Sequence, residues 1–117
     1  MINFYNGVFI QHQVQQFANR CISSRYIQHS PDAPDGKAPF VDYFTQYFKD
    51  HPTAKNTIKR AIAEDDLVML HVHAQQNKAG RGTAIVDIFR VEQGKIIEHW
   101  DVQQEIPEQS ANTNTMF

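Results

Sequence analysis

Three short runs of the sequence carry side chains that move protons or bind metals. They are His71-Val72-His73, Asp87 within TAIVDIFRV, and His99-Trp100-Asp101 within GKIIEHWDVQQEIP. From Lys95 to Pro107 the residues alternate in character, the period-two signature of a strand with two different faces. His99 and Asp101 then point the same way, roughly 7 Å apart along the strand. On a concave, dry face they form an acid/base pair; on an exposed edge they are simply solvated.

Two chemistries compete for these residues. Two imidazoles on one side of a strand, with His99 as a third, would suit zinc or iron. That order resembles a cupin, but no carboxylate follows in residues 74–80, and the later Pro-x-Gly signal of a cupin is also missing. The alternative is general acid/base work by a carboxylate in an apolar pocket. Burial moves such a group toward the working pH, and nearby histidines or a second carboxyl can hydrogen-bond an oxyanion. The expectation is this second chemistry rather than a metal site.

The elements that must position these groups follow from periodicity. Ile2, Phe4, Tyr5, Val8 and Phe9 suit a short helix, weakened by Gly7. Val14, Phe17, Ala18, Cys21 and Ile22 give a helix over 13–23 with one buried face, which makes Cys21 a core thiol. YIQHSPDAPDG, 26–36, has the composition of a loop, with His29 near its start. A helix then begins near Pro39, stacks Phe40, Phe44 and Phe48 on one face with Val41 and Tyr47 beside them, and ends at His51-Pro52. Strands are expected over 57–64, 67–76, 83–91 and 95–105. The short turns between them make neighbours antiparallel, and a polar tail closes the chain.

Helices followed by an antiparallel meander make an α+β domain. Taking odd positions together gives a mixed face of Met69, His71, His73, Ile85, Asp87, Phe89, Ile97, His99 and Asp101, the expected lining of a small-molecule pocket. The even positions, Val68, Leu70, Val72, Val86, Ile88 and Trp100, give a nearly pure apolar face, the expected homodimer interface.

Composition narrows the function classes. The chain of 117 residues suits one domain, spanning 1–117. A net charge of −2 argues for neither nucleic acid nor an anionic membrane surface as partner. The single cysteine excludes an intrachain disulfide. No window is apolar enough for a membrane span, and MINFYNGVFIQHQ has no signal-peptide pattern, so a cytoplasmic setting is expected.

The run 26–36, the His-Val-His strand, VDIFRVEQGKIIEHWDVQQEIP and the tail SANTNTMF together resemble the SnoaL-like polyketide-cyclase branch of the NTF2-like superfamily. Within it they are similar to proteins described as catalysing aldol condensation. The likeness runs from about residue 13 nearly to the end. It implies a cone in which helices pack into a curved sheet around a pocket, a homodimer, and no metal or organic cofactor. In the cyclases an aspartate on the last strand takes a proton α to a carbonyl, and the enolate closes a ring; Asp101 matches that position. The leading reading is then that Asp101 is the base, that His99, His73 and Asp87 hold or protonate the oxyanion, and that His29 and His71 line the pocket with Phe89 and Met69 of the mixed face. Asp87 stands where the family often has histidine, and the first helix begins partway through the family's longer one. The alternative is a binding module of the same fold without catalysis, because fold alone does not imply activity.

Overall fold

The computed structural model describes residues 1–117. Three helices, α1 (Ile2–Phe9), α2 (Val14–Cys21) and α3 (Lys37–Asp50), accompany five strands. The strands are β1 (Ile22–Gln28), β2 (Lys55–Glu64), β3 (Leu67–Gln75), β4 (Thr83–Glu92) and β5 (Lys95–Glu105). They form one sheet in the order β1-β5-β4-β3-β2. The meander β2 to β5 is antiparallel as its short turns require, while β1 pairs with β5 in parallel. The sheet is therefore mixed. No helix is long and apolar enough to cross a membrane.

β1 is the element that periodicity missed. Its sequence, ISSRYIQ, sends only Ile22 and Tyr26 fully inward, and its pairing with β5 shifts register between Ile22 and Ile27. An irregular strand with three polar residues in a row lacks clean alternation, and the helix expected over 13–23 stops at Cys21 instead.

The helices close one face of the sheet with aromatic side chains. Phe9 of α1 meets Phe44 of α3 edge-to-face at 5.0 Å and also contacts Phe40 and Phe48. The stripe on α3 thus interlocks with α1, an arrangement worth about 0.5–1.5 kcal/mol per pair beyond area burial. Gly7 explains its own presence in a helix: a Cβ there would stand 2.3 Å from the Phe17 ring, so α1 and α2 approach closely only without one. The price in helix propensity is about 1 kcal/mol.

Register decides which side chains lie under this cover. β3 and β4 pair even with odd positions (Val72 with Ile85, Leu70 with Asp87), whereas β4 and β5 pair odd with odd (Asp87 with Asp101, Phe89 with His99). The concave face therefore carries Leu70 and Val72, both 0% exposed, beside Ile85, Asp87, Phe89, His99 and Asp101. Met69, His71 and His73 fall on the convex face with Val86, Ile88, Trp100 and Val102. The grouping of all odd positions is thus corrected for β3. On β5 a bulge opposite Arg90 and Val91 turns Ile96 into the core, and Ile97 is only half-buried.

Candidate active site

Between the helices and the concave face lies a cavity of about 800 Å³. Its walls include Phe4, Phe40, Tyr43 and Phe44, and its floor includes Asp87, Phe89, His99 and Asp101. The α3 stripe is thus both core and cavity wall.

Asp87 and His99 are 6% and 9% exposed, the two buried polar residues of the chain. The Tyr5 hydroxyl, brought in by α1, donates to Asp87 Oδ2 at 2.7 Å. His99 Nε2 lies 2.8 Å from Asp87 Oδ1, and since a carboxylate only accepts, this nitrogen donates. His99 Nδ1 lies 2.7 Å from Gln28 Oε1. The backbone N–H of Ser30 donates to that same oxygen at 3.0 Å, which fixes the amide's orientation and leaves Gln28 Nε2 to donate to the Tyr26 hydroxyl at 3.1 Å. The imidazole satisfies both partners only when both nitrogens carry protons. Asp87 and His99 then form a charged pair, and burial without such mutual bonding would be costly.

Burial, reinforced by the neighbouring Asp87 carboxylate, pushes the Tyr5 phenol well above its ordinary range. Burial likewise raises Tyr26, so both hydroxyls keep their protons. Tyr5 also accepts from Asn56 Nδ2 at 3.1 Å. Tyr26 accepts from Gln28, which leaves its own proton free to donate.

Asp101 differs from its neighbour. It sits opposite Asp87 across the β4–β5 pair, half-buried on the cavity floor, and accepts one bond, from Gln103 Nε2 to Oδ2 at 2.9 Å. Ligating atoms of Asp87, His99 and Asp101 lie within 4.8 Å of one another. A cation held by all three would compete with Tyr5 and His99 for both oxygens of Asp87. The set His71, His73 and His99 cannot converge on one ion, because the sheet separates the first two from the third.

Four of the eight expected site residues meet at the cavity: Asp87, Phe89, His99 and Asp101. The other four lie elsewhere. His29 is exposed, stacks on Trp100 at 4.6 Å and pairs with Glu98 at 2.7 Å, because β1 carries it past the cavity to the far face. His71 and His73 stack against Phe117 of the tail, at 5.2 and 4.8 Å. Met69 is 40% exposed on the same face. Tyr5, Tyr26, Gln28 and Asn56 were missed. Only a Tyr among the apolar positions of the first helix hinted at the first, and nothing local marked the others.

Three helices packed over one face of a five-stranded mixed sheet, with a cavity between them, make an NTF2-like fold. Among solved structures the chain is similar to an NTF2-like protein from Cytophaga hutchinsonii (13% identical, TM-score 0.71, 88% of this chain and 85% of that one). It is also similar to a candidate polyketide cyclase from Bacillus cereus (19%, TM-score 0.68, 86% and 68%) and a candidate ketosteroid isomerase from Kribbella flavida (14%, TM-score 0.72, 93% and 78%). At these identities they speak to the fold. The SnoaL-like domain model matches residues 2–99, and the chain belongs to that family. No curated protein matches it significantly.

Proposed function

We propose that the protein takes a proton α to the carbonyl of a small polyketide-like compound, with Asp101 as the base, and carries the enolate into an aldol-type condensation or cyclisation. The observation that carries this reading is the contrast between the two carboxylates. Asp87 has both oxygens engaged by buried donors, whereas Asp101 has one partner and faces the cavity. A base needs a free lone pair within reach of the substrate, and Asp101 has one.

In this scheme Asp101 receives the α proton, the electrons of that C–H bond form the C=C bond of the enolate, and the carbonyl π pair moves onto oxygen. The Tyr26 hydroxyl, held by Gln28 and still protonated, donates to that oxygen. The enolate carbon attacks a second carbonyl of the same or another molecule, one C–C bond forms, and the protonated Asp101 returns its proton to the new alkoxide. His99 keeps Gln28 and Asp87 in place rather than meeting the substrate's oxygen alone. His73, on the far face, has no part in this step.

We also propose a homodimer through the convex face. The row that was expected to form it is divided, since Leu70 and Val72 are buried in the chain's own core. Ile62, Met69 and Val102, which are 59%, 40% and 67% exposed, supply its apolar surface instead, with Ile88 and Trp100 among them.

Deuterium incorporation α to the carbonyl of aryl ketones and aromatic β-diketones, followed by NMR, tests the base. The wild type should accelerate exchange, and Asp101→Asn should slow it by about 10²–10⁴-fold while ligand binding persists. Unchanged exchange in Asp101→Asn would move the base elsewhere. Binding without exchange in the wild type would favour the non-catalytic carrier.

A further inference from the structure

At the mouth of the cavity the chain holds one cationic side chain under unusual restraint. Arg81 is the sole lysine or arginine among the lining residues. It takes part in none of the molecule's ion pairs. Its Nε donates to the carbonyl of Ile106 at 3.2 Å, which ties the guanidinium to the end of β5 and leaves both terminal nitrogens without a partner.

The backbone beneath it is held from the other side of the sheet. His73 Nε2 donates to the Arg81 carbonyl at 2.8 Å. Phe117 packs on the His73 ring at 4.8 Å, with the Lys59 ammonium 5.6 Å from the Phe117 ring. Gly82 has φ of +85°, and a Cβ there would stand 2.2 Å from the Ala74 carbonyl oxygen. The Gly82 carbonyl in turn accepts from Ile106 N–H at 3.1 Å. A histidine, a glycine and the C-terminal phenylalanine thus fix one turn whose remaining free group is a guanidinium facing the cavity mouth.

We propose that Arg81 is a specificity residue that binds a carboxylate of the ligand, and that His73 is its positioning residue. The geometry deepens the reading above, in that the substrate would be a carbonyl compound with an acid group at its far end. Ile106, the residue after β5, lies five positions beyond Asp101, about 17 Å of extended chain, so the acid group and the reacting carbon belong to opposite ends of an elongated molecule. Planar, forked donors match a carboxylate better than any other side chain does. Asp32 and Glu105 also line the cavity and take part in no ion pair, so a negative group placed beside either of them is repelled.

The test is calorimetric titration of the full chain with 2-naphthoate and biphenyl-4-carboxylate, each against its neutral amide. The wild type should prefer the carboxylates by roughly tenfold or more. Arg81→Met should abolish that preference and leave the amides bound as before. His73→Leu should lower the preference, and His73→Gln, which keeps a side-chain N–H, should restore it. A wild type that does not prefer the carboxylates, including one that binds neither probe, overturns the proposal, as does a preference that survives in Arg81→Met. A preference that survives in His73→Leu overturns the positioning role. These acids do not react, so lost exchange in the deuterium assay leaves this result standing, and the reverse also holds.

Discussion

On β5, His99 is 9% exposed and bonded through both ring nitrogens, while its neighbours Glu98 and Trp100 face the other way and meet His29 at the surface. Both faces of the sheet carry histidines, carboxylates and apolar residues. Only the concave one has helices over it. There Asp87 and His99 must satisfy each other because water cannot, and a buried pair is committed to one geometry. On the convex face Glu98 accepts from His29 at 2.7 Å and Arg90 at 2.9 Å, and Arg90 also reaches Asp66, yet every partner is within reach of water. Identical chemistry is structural and expensive under the helices, adjustable and cheap outside them.

The largest effect should come from breaking the buried pair. Asp87→Ala leaves the His99 and Tyr5 donors facing a void, and urea denaturation should show a loss of about 3–5 kcal/mol. A loss well below 1 kcal/mol would mean that the concave face is wet and the contrast false.

Next in size is Tyr5→Phe, which removes one buried donor and should cost about 1–3 kcal/mol at neutral pH. The same variant tests the alkaline limb. The folded-state pKa of Tyr5 is raised, so its contribution is whole below the unfolded value near 10 and is lost as pH rises through the folded one. Wild-type stability should fall above about pH 10 at up to about 1.4 kcal/mol per pH unit for each buried tyrosine, and Tyr5→Phe should flatten that slope.

Val102→Glu addresses the convex face. Monomer stability should change by no more than about 0.5 kcal/mol, whereas sedimentation should show the dimer weakened. A wild type that is monomeric at micromolar concentration would remove the interface altogether.

The smallest effect should be that of Glu98→Gln. Hydrogen bonds from His29, then Arg90, hold the Glu98 carboxyl below its usual range. That contribution is present above the ordinary glutamate range and lost as pH falls through the lowered value. The group is close to solvent, so the change should be slight and should vanish at about 1 M salt.

How far these faces were legible in the sequence depended on where each signal was stored. Phe40, Phe44 and Phe48 announce a helix because their spacing is local. The strands β4 and β5 are equally plain, and with them Asp87, His99 and Asp101. The inward face of β3 is set by how the residues 76–82 close the hairpin, which pairs Ala74 with Thr83. That is a property of loop geometry rather than of alternation, so a reader who aligns odd with odd sends His71 and His73 to the wrong side. Tyr5 is farther out of reach, since its bond to Asp87 joins residues 82 apart. The parallel strand β1 owes its place to β5 rather than to its own pattern.

That last pairing sets an order of events during synthesis. β1 is made early, but its neighbour in the sheet is β5, the final strand to leave the ribosome. The antiparallel β2–β4 meander can form from local contacts, which are quick to find, whereas Ile22 must wait for Ile96. A nascent chain ending before Lys95 therefore displays an open edge on β4 and two aromatic helices with only three paired strands to cover. This is the state in which edge-to-edge association competes with folding. The insertion of one strand covers the open edge of β4, completes the Gln28–His99 bond and supplies the cavity floor with His99 and Asp101, so the site is acquired in the step that removes this edge.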